Sequence, residues 1–276
     1  MIIHEIQYRE SLSSLSHIAE KPWSLILDGS PKFEDGRYSF LAIQPFLAIS
    51  VKNGLLKIYN EKLDLEETCH TSNPFDQLRT IYRQFPQDPI AGLPPFQGGI
   101  AGYFSYDLAR YLEKLPNFPE DDLEMPDLAV GVYDLVASFD HQKKKAWIIS
   151  SGYPEKEEKA RQIRAKRRCE EFKAILQDPP QEKRKKANSF SLHELKSNFS
   201  SDSYCQMVQQ AIEYIRKGDI FEVNLSQRYS IPMPKNLTSF ALYRRLQEVS
   251  PSPFAAYFNC DEGAIASISP ERFLKL

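Results

Sequence analysis

Short apolar segments separated by turn formers dominate the first 150 residues of the chain, and they limit the folds that it can adopt. The clearest marker is Lys52-Asn53-Gly54, which separates apolar runs at 47–51 and 55–59. An Asn-Gly pair in this position is a strong hairpin signal. Further candidate strands lie at 23–27, 38–43, 125–140 and 146–150. The pattern predicts antiparallel sheets built from short strands.

Apolar residues recur at helical spacing in two other segments. One segment begins at Asn73, a good helix start, and ends before Pro86, so we expect a helix that covers one sheet face. The other begins at Ser200 or Ser201 and ends at Gly218, where a glycine that follows a helix belongs. Helices thus complement the predicted sheets.

The segment 155–186 differs in composition, with 12 Lys or Arg against 7 Asp or Glu. Its apolar stripe is imperfect, so we expect a solvated surface helix followed by a linker at 178–188. The change in composition divides the chain into an N-terminal antiparallel-sheet region at 1–154, a charged helix and linker at 155–198, and a third region at 199–276.

Overall charge and targeting signals argue against several classes of protein. The formal net charge is -2, and Phe172 alone interleaves with the basic residues of 155–186, so nucleic-acid binding is not expected. No apolar run is long enough to span a bilayer, and the N-terminus lacks a signal-peptide pattern, which predicts a soluble, cytoplasmic protein. The four cysteines show no zinc or disulfide spacing and are expected to be reduced core residues.

Gly98, Gly99 and Gly102 form a local cluster of glycines. Their spacing matches neither GxGxxG nor the P-loop, so a phosphate site is not indicated. We expect a tight strand that enters a crowded sheet centre. Further along, 221–229 alternates between apolar and polar residues, which predicts a strand whose polar face, including Asn224 and Ser226, lines a site or meets water.

Four motifs in a fixed order carry a more specific pattern. They are Leu93-Pro-Pro-Phe-Gln-Gly-Gly99, Met125-Pro-Asp127, Gly218-Asp-Ile-Phe-Glu-Val-Asn-Leu-Ser-Gln-Arg228, and Ser252-Pro-Phe-Ala-Ala-Tyr257 with Ser267-Ile-Ser-Pro-Glu-Arg-Phe273. Together they resemble the chorismate-utilising enzymes over nearly the whole chain. Within them, the chain is similar to aminodeoxychorismate synthase component I, and anthranilate synthase component I is the next branch.

The resemblance implies an α+β fold in which antiparallel sheets pack together, with helices outside. It implies that ammonia replaces the 4-hydroxyl of chorismate to give 4-amino-4-deoxychorismate, on the route to p-aminobenzoate and folate. A glutamine amidotransferase subunit supplies the ammonia in this family, and Mg²⁺ binds the substrate carboxylate. The alternative product is anthranilate, on the route to tryptophan.

The resemblance also assigns roles to individual residues. Hydroxide is a poor leaving group, so the reaction needs a positioned acid, and Glu271 stands at the family's general acid/base position. From the residues alone, a glutamate beside Arg272 is more often an ion-pair partner. Asn224 and Ser226 fall in the substrate region. The family's tryptophan site, structural or inhibitory according to the branch, corresponds to Ser30, Arg37, Tyr38, Pro253, Phe254 and Ala255.

Two features bear on which branch the chain follows and on whether it is active alone. The segment Ile26-Leu-Asp-Gly-Ser30 departs from the Leu-Leu-Glu-Ser type of the inhibited enzymes, which favours the folate branch. The family's nucleophilic lysine and its metal-binding carboxylates match no residue up to Leu276. We therefore expect the chain to be inactive alone, as an incomplete or split enzyme subunit or as a non-catalytic binding module.

Overall fold

The computed structural model describes residues 1–10, 12, 15–62, 64–115, 121–177 and 192–276. The chain forms two compact units. The larger comprises 1–182 and 238–276, and the smaller comprises 183–237.

In the larger unit the strands form two antiparallel sheets. Before the smaller unit, these strands are β1 (Ile2–Ile6), β2 (Ser24–Asp28), β3 (Tyr38–Ala42), β4 (Leu47–Lys52), β5 (Leu55–Asn60), β6 (Leu65–His70), β7 (Gly99–Phe104), β8 (Leu128–Tyr133), β9 (Leu135–Asp140) and β10 (Lys145–Ser150). The smaller unit contains β11 (Lys196–Ser197) and β12 (Tyr229–Ser230). The larger unit then continues with β13 (Phe254–Cys260) and β14 (Gly263–Ser269). The seven-stranded sheet has the order β1-β10-β9-β3-β2-β13-β14, and the five-stranded sheet has the order β6-β5-β4-β8-β7.

The helices of the larger unit lie on the outer faces of these sheets. They are α1 (Ser16–Ala19), α2 (Pro74–Gln84), α3 (Glu158–Gln177) and, after the smaller unit's α4 (Ser201–Lys217), α5 (Ser239–Val249). One core lies between the sheets and joins side chains of β2, β3 and β13 to those of β8. A second core packs the helices α1, α3 and α5 on the seven-stranded sheet, and a third packs α2 on the five-stranded sheet. The predicted α+β fold of packed antiparallel sheets with peripheral helices is confirmed.

The Asn53-Gly54 turn confirms the predicted hairpin. Both residues have positive φ angles, 49° and 77°, and Lys52 pairs with Leu55 in the β4–β5 ladder. Two successive positive φ angles match the right-handed twist of the flanking strands, and asparagine and glycine tolerate them at the smallest energetic penalty.

The predicted strand at 125–140 is instead two strands, β8 and β9, which belong to different sheets. The chain changes sheet at Asp134, whose side chain is fully buried. Arg168 of α3 donates a hydrogen bond to Asp134 at 3.0 Å, and Arg164 lies 3.6 Å away. A buried carboxylate requires such partners, so this ion-pair cluster fixes α3 over the crossing point.

The predicted surface helix is α3, but it is less solvated than predicted. Its residues Ala165, Cys169, Phe172 and Leu176 are buried at intervals of three and four, on a single stripe. Ile163 lies outside this stripe and is 69% exposed. The stripe is hard to recognise in the sequence because one buried position on this side of the helix is basic, namely Arg168, which is paired with Asp134. The linker predicted at 178–188 lies outside the described residues.

The glycine cluster forms a tight strand, as predicted, but β7 lies at the edge of its sheet and not at the centre. Gly102 has φ 154°, and a Cβ atom there would lie 2.3 Å from the carbonyl oxygen of Ala129 in β8. The cysteine prediction holds for Cys169 and Cys260, which are buried, while Cys69 and Cys205 are exposed. Cys69 is exposed because it lies in β6, the outermost strand of the five-stranded sheet, all of whose residues are exposed.

In the smaller unit, α4 begins with a capping box. Ser200 accepts a hydrogen bond from the backbone N–H of Ser203, whose side chain in turn accepts one from the N–H of Ser200. Gly218 ends the helix in the left-handed conformation, as predicted. The strand predicted at 221–229 is wrong except at its last residue, because only Tyr229 and Ser230 pair with a neighbour, β11. Alternation alone does not make a strand without a partner for its backbone.

Candidate functional site

A cavity of about 280 Å³ opens where β2, β3 and β13 lie side by side in the seven-stranded sheet. Its walls include the aromatic rings of Tyr38, Phe40 and Phe254, together with Pro253 and Ala255. The strand register explains this meeting, because β13 pairs with β2 so that Ala255 lies opposite Asp28. An apolar cavity with a few polar groups at its rim is typical of a small-molecule site.

Two guanidinium groups lie over aromatic rings at this cavity. Arg272 lies 4.9 Å from the centroid of Phe254, and Arg37 lies 4.8 Å from that of Tyr38. Arg272 also lies 3.8 Å from Asp35. Cation–π contacts of this length are attractive. The contact between Arg272 and Phe254 attaches the segment after β14 to the wall of the cavity.

Four of the six residues predicted for a tryptophan site converge on this cavity, namely Tyr38, Pro253, Phe254 and Ala255. Ser30 lines a second cavity, of about 420 Å³, together with polar residues such as Lys32, Arg244 and Ser252. Arg37 is directed towards Asp140, to which its Nη2 donates a hydrogen bond at 2.7 Å. Burial raises the pKa of Asp140, but the bonds from Arg37 and two backbone N–H groups outweigh that effect and lower it.

Asp28 lines both cavities, and the sequence analysis did not single it out. Its carboxylate is 8% exposed and accepts hydrogen bonds from Ser39 at 2.9 Å and from Gln247 of α5 at 2.7 Å. Burial raises its pKa, against the effect of these hydrogen bonds. A carboxylate that ends an otherwise apolar strand is the signal that would have identified it.

Glu271 lies in the exposed segment that follows β14. Its backbone carbonyl accepts a hydrogen bond from the hydroxyl of Ser269 at 3.0 Å. Arg272 is bound to Phe254 and Asp35, so it anchors this segment. The predicted substrate-region residues Asn224 and Ser226 belong to the smaller unit, where both are exposed.

The described residues offer neither a metal-binding cluster nor a membrane-spanning helix. Between residues 1 and 276, apart from the gaps given above, no group of three or more His, Cys, Asp or Glu residues is arranged to hold a metal ion. The expected Mg²⁺ therefore has no ligand set among these residues. Among the same residues, no helix has the length and apolar character needed to cross a membrane.

The fold and the motifs define the chain as a member of a known class of enzymes. The family model described as chorismate binding enzyme matches residues 31–276. The chain therefore belongs to the chorismate-binding enzyme family, which confirms the resemblance drawn from the sequence motifs.

Relatives fall into both expected branches. The chain is 35% identical over 261 residues to anthranilate synthase component 1 of Thermus thermophilus, covering 94% of this chain and 52% of that protein. It is 31% identical over 267 residues to aminodeoxychorismate synthase component 1 of Klebsiella aerogenes, covering 95% and 53%. The chain thus spans about half the length of the curated relatives it matches.

A solved structure supports the same relationship. The chain superposes on anthranilate synthase component I from Streptococcus pneumoniae with a TM-score of 0.68 and 27% sequence identity. The match covers 85% of this chain and 50% of that one. The fold therefore agrees with that of an anthranilate synthase component I.

Proposed function

We propose that this chain is part of a chorismate-aminating synthase that forms 4-amino-4-deoxychorismate. The observation that carries the proposal is the family match over residues 31–276, which includes the Pro270-Glu271-Arg272 motif. The relative from Klebsiella aerogenes is named as an aminodeoxychorismate synthase component. The segments Phe96-Gln-Gly-Gly99 and Asp28-Gly-Ser30 favour this branch.

In this reaction a C–N bond forms between ammonia and the substrate ring, and the C–O bond to the 4-hydroxyl breaks. The hydroxyl leaves as water after it receives a proton, and ammonia loses a proton. Glu271 is the proposed proton donor and acceptor. A glutamine amidotransferase supplies the ammonia. Mg²⁺, for which the described residues hold no ligand set, would neutralise carboxylate charge on chorismate.

The cavity beside β13 is proposed to bind tryptophan. An indole ring fits walls made by Tyr38, Pro253 and Phe254, because aromatic and proline side chains pack well on a flat ring. Asp28 offers a carboxylate to the amino group of such a ligand. This binding is separate from the amination itself, since Glu271 does not line the cavity.

Anthranilate formation is the second candidate. The specific observation in its favour is the 35% identity to the anthranilate synthase component of Thermus thermophilus. Both candidates use chorismate and ammonia, so the nature of the product separates them.

The test begins with the purified 276-residue chain, incubated with chorismate, ammonia and Mg²⁺, and resolves chorismate, aminodeoxychorismate and anthranilate by chromatography. We expect the chorismate to remain intact, because the described residues leave Glu271 exposed and supply no metal ligands. Turnover by the chain alone would contradict that expectation, and its product would identify the branch.

A second arm joins the 276 residues to the C-terminal half of either relative, from Klebsiella aerogenes or from Thermus thermophilus. The proposal predicts product from both fusions and faster turnover with the half from the aminodeoxychorismate synthase. Faster turnover with the anthranilate synthase half would favour the second candidate. Folded fusions that bind no chorismate would overturn both.

A further inference from the structure

A continuous chain of hydrogen bonds connects the cavity wall at Asp28 to Tyr8. Asp28 Oδ1 accepts from the hydroxyl of Ser39 at 2.9 Å, Ser39 lies 2.7 Å from Nε2 of His141, and Nδ1 of His141 lies 2.8 Å from the hydroxyl of Tyr8. Ser39 is fully buried and His141 is 4% exposed. The proposed amination chemistry uses none of these groups.

The hydrogen positions along this chain follow from one proton on Ser39. If Ser39 donates to the carboxylate of Asp28, its oxygen must accept from His141, so Nε2 carries the hydrogen. Nδ1 of the neutral ring then accepts from Tyr8. The donors therefore all point towards Asp28, and they favour its ionised form.

Other polar and charged groups surround the two ends of this hydrogen-bond chain. Around Asp28 these are Tyr243 and Gln247 of α5 and the cavity-lining residues Glu10, Lys32, Asp35, Arg244, Glu248 and Arg272. Around His141 they are Tyr8, Lys144, Glu10 and Asp140, the last of which is paired with Arg37. Burial and Lys144 lower the pKa of His141, while Asp140 and Glu10 act in the opposite direction.

We propose that Asp28, Ser39 and His141 form a pH-sensitive switch that controls the binding of an ammonium-bearing ligand in the cavity beside β13. The proposal rests on the tryptophan cavity of the proposed function. When Asp28 is ionised and His141 is neutral, the pair carries one negative charge. Uptake of a single proton by either member makes the pair neutral, so the attraction for an ammonium group is lost.

The coupling predicts how each variant shifts the transition. In a coupled pair the first proton can bind to either site, so the pair takes it up at a higher pH than either site would alone. Removal of one site therefore lowers the pH at which half of the molecules have taken up this proton. His141→Gln retains a donor to Ser39 but cannot be protonated, so its midpoint for ligand binding falls. Asp28→Asn removes the charge, so ligand affinity is low at every pH.

The binding test uses calorimetry on the 276-residue chain with tryptophan and with indole-3-propionate, which lacks the ammonium group. We expect the affinity for tryptophan to fall about tenfold between pH 8 and pH 5, as a charged hydrogen bond is lost. The affinity for indole-3-propionate should not fall. Equal pH dependence for both ligands would overturn the switch.

A ligand-free measurement tests the coupling itself. The imidazole C–H signal of His141, identified by its absence in His141→Gln, is titrated by NMR in the wild type and in Asp28→Asn. We expect a lower pKa of His141 in Asp28→Asn, because the carboxylate that stabilises the imidazolium is gone. Asp35→Asn, which changes a carboxylate outside the hydrogen-bond chain, is the control and should leave this pKa unchanged.

The outcomes separate the switch from the functions on which it rests. An unchanged pKa of His141 in Asp28→Asn overturns the coupling, whatever the ligand results. If neither ligand binds at any pH, then the proposal that the cavity binds tryptophan and the proposal that the switch controls such binding both fail. Neither result bears on chorismate turnover, which the fusion assay tests independently.

Discussion

The cavity beside β13 and the segment that carries Glu271 are neighbours in one unit, yet they differ in how far the described residues enclose them. In the strand that lines the cavity, Tyr257 and Phe258 of β13 are buried, at 0% and 3% exposed. In the other region Phe273 is completely exposed. The described residues thus pack the strand that lines the cavity into the core, whereas they position the proposed catalytic segment through only a few contacts.

The largest expected difference between the two regions is the loss of stability when a phenylalanine is replaced by alanine. Phe258→Ala removes a buried ring between the sheets and should lower the free energy of unfolding by about 3–5 kcal/mol. Phe273→Ala removes an exposed ring and should change it by less than about 0.5 kcal/mol. Urea unfolding of the two variants measures both values. Similar losses would show that the second region is also packed.

A smaller difference is expected from two serines. Ser39→Ala removes the donor to Asp28 and the acceptor for His141 in a buried position, so it should destabilise the protein by about 1–3 kcal/mol. Ser269→Ala removes only the bond to the Glu271 carbonyl near solvent and should have an effect below about 0.5 kcal/mol. Thermal unfolding compares them, and a larger effect at Ser269 would reverse the contrast.

The smallest effect is a change in pH dependence. Because burial lowers the pKa of His141, the unfolded chain takes up this proton at higher pH than the folded protein does. The unfolded state therefore binds more protons over that interval, and stability from this group falls as the pH drops below about 6.5.

The check on this prediction is the free energy of unfolding of His141→Gln, which should depend less on pH between 7 and 5.5. Asp28 contributes the opposite slope above the ordinary pKa of an aspartate, because burial raises its pKa and the folded state takes up its proton first. An equally steep dependence in His141→Gln would assign the slope to another group.

Local signals in the sequence were sufficient for the turns and helix ends. Asn53-Gly54 and the ends of α2 and α4 were predicted because their residues act on their own backbone. The division of 125–140 between two sheets was not predictable, because it depends on the ion pair between Asp134 and Arg168, which are 34 residues apart. The alternation at 221–229 predicted a strand wrongly for the same reason, because strand pairing depends on a partner that is distant in the sequence.

The site shows the same division between local and distant information. Tyr38 and the Pro253-Phe254-Ala255 turn were assigned to one cavity through motifs, and the β2–β13 pairing brings them together. Ser30 and Arg37 carried the same motif-based assignment, but the structure directs them elsewhere. Asp28 and His141 were not predicted as site residues, because they are linked by a hydrogen-bond chain between residues more than 100 positions apart in the sequence.

The central claim, that these residues supply the acid/base group of a chorismate-aminating enzyme, is tested most directly at Glu271. The fusion with the Klebsiella aerogenes half is compared with its Glu271→Gln variant and with Glu262→Gln, which changes an exposed glutamate outside the motif. Chromatography measures the rate at which chorismate is converted. The account predicts a loss of at least about 100-fold for Glu271→Gln and an unchanged rate for Glu262→Gln. A Glu271→Gln fusion that retains the parent rate would contradict it.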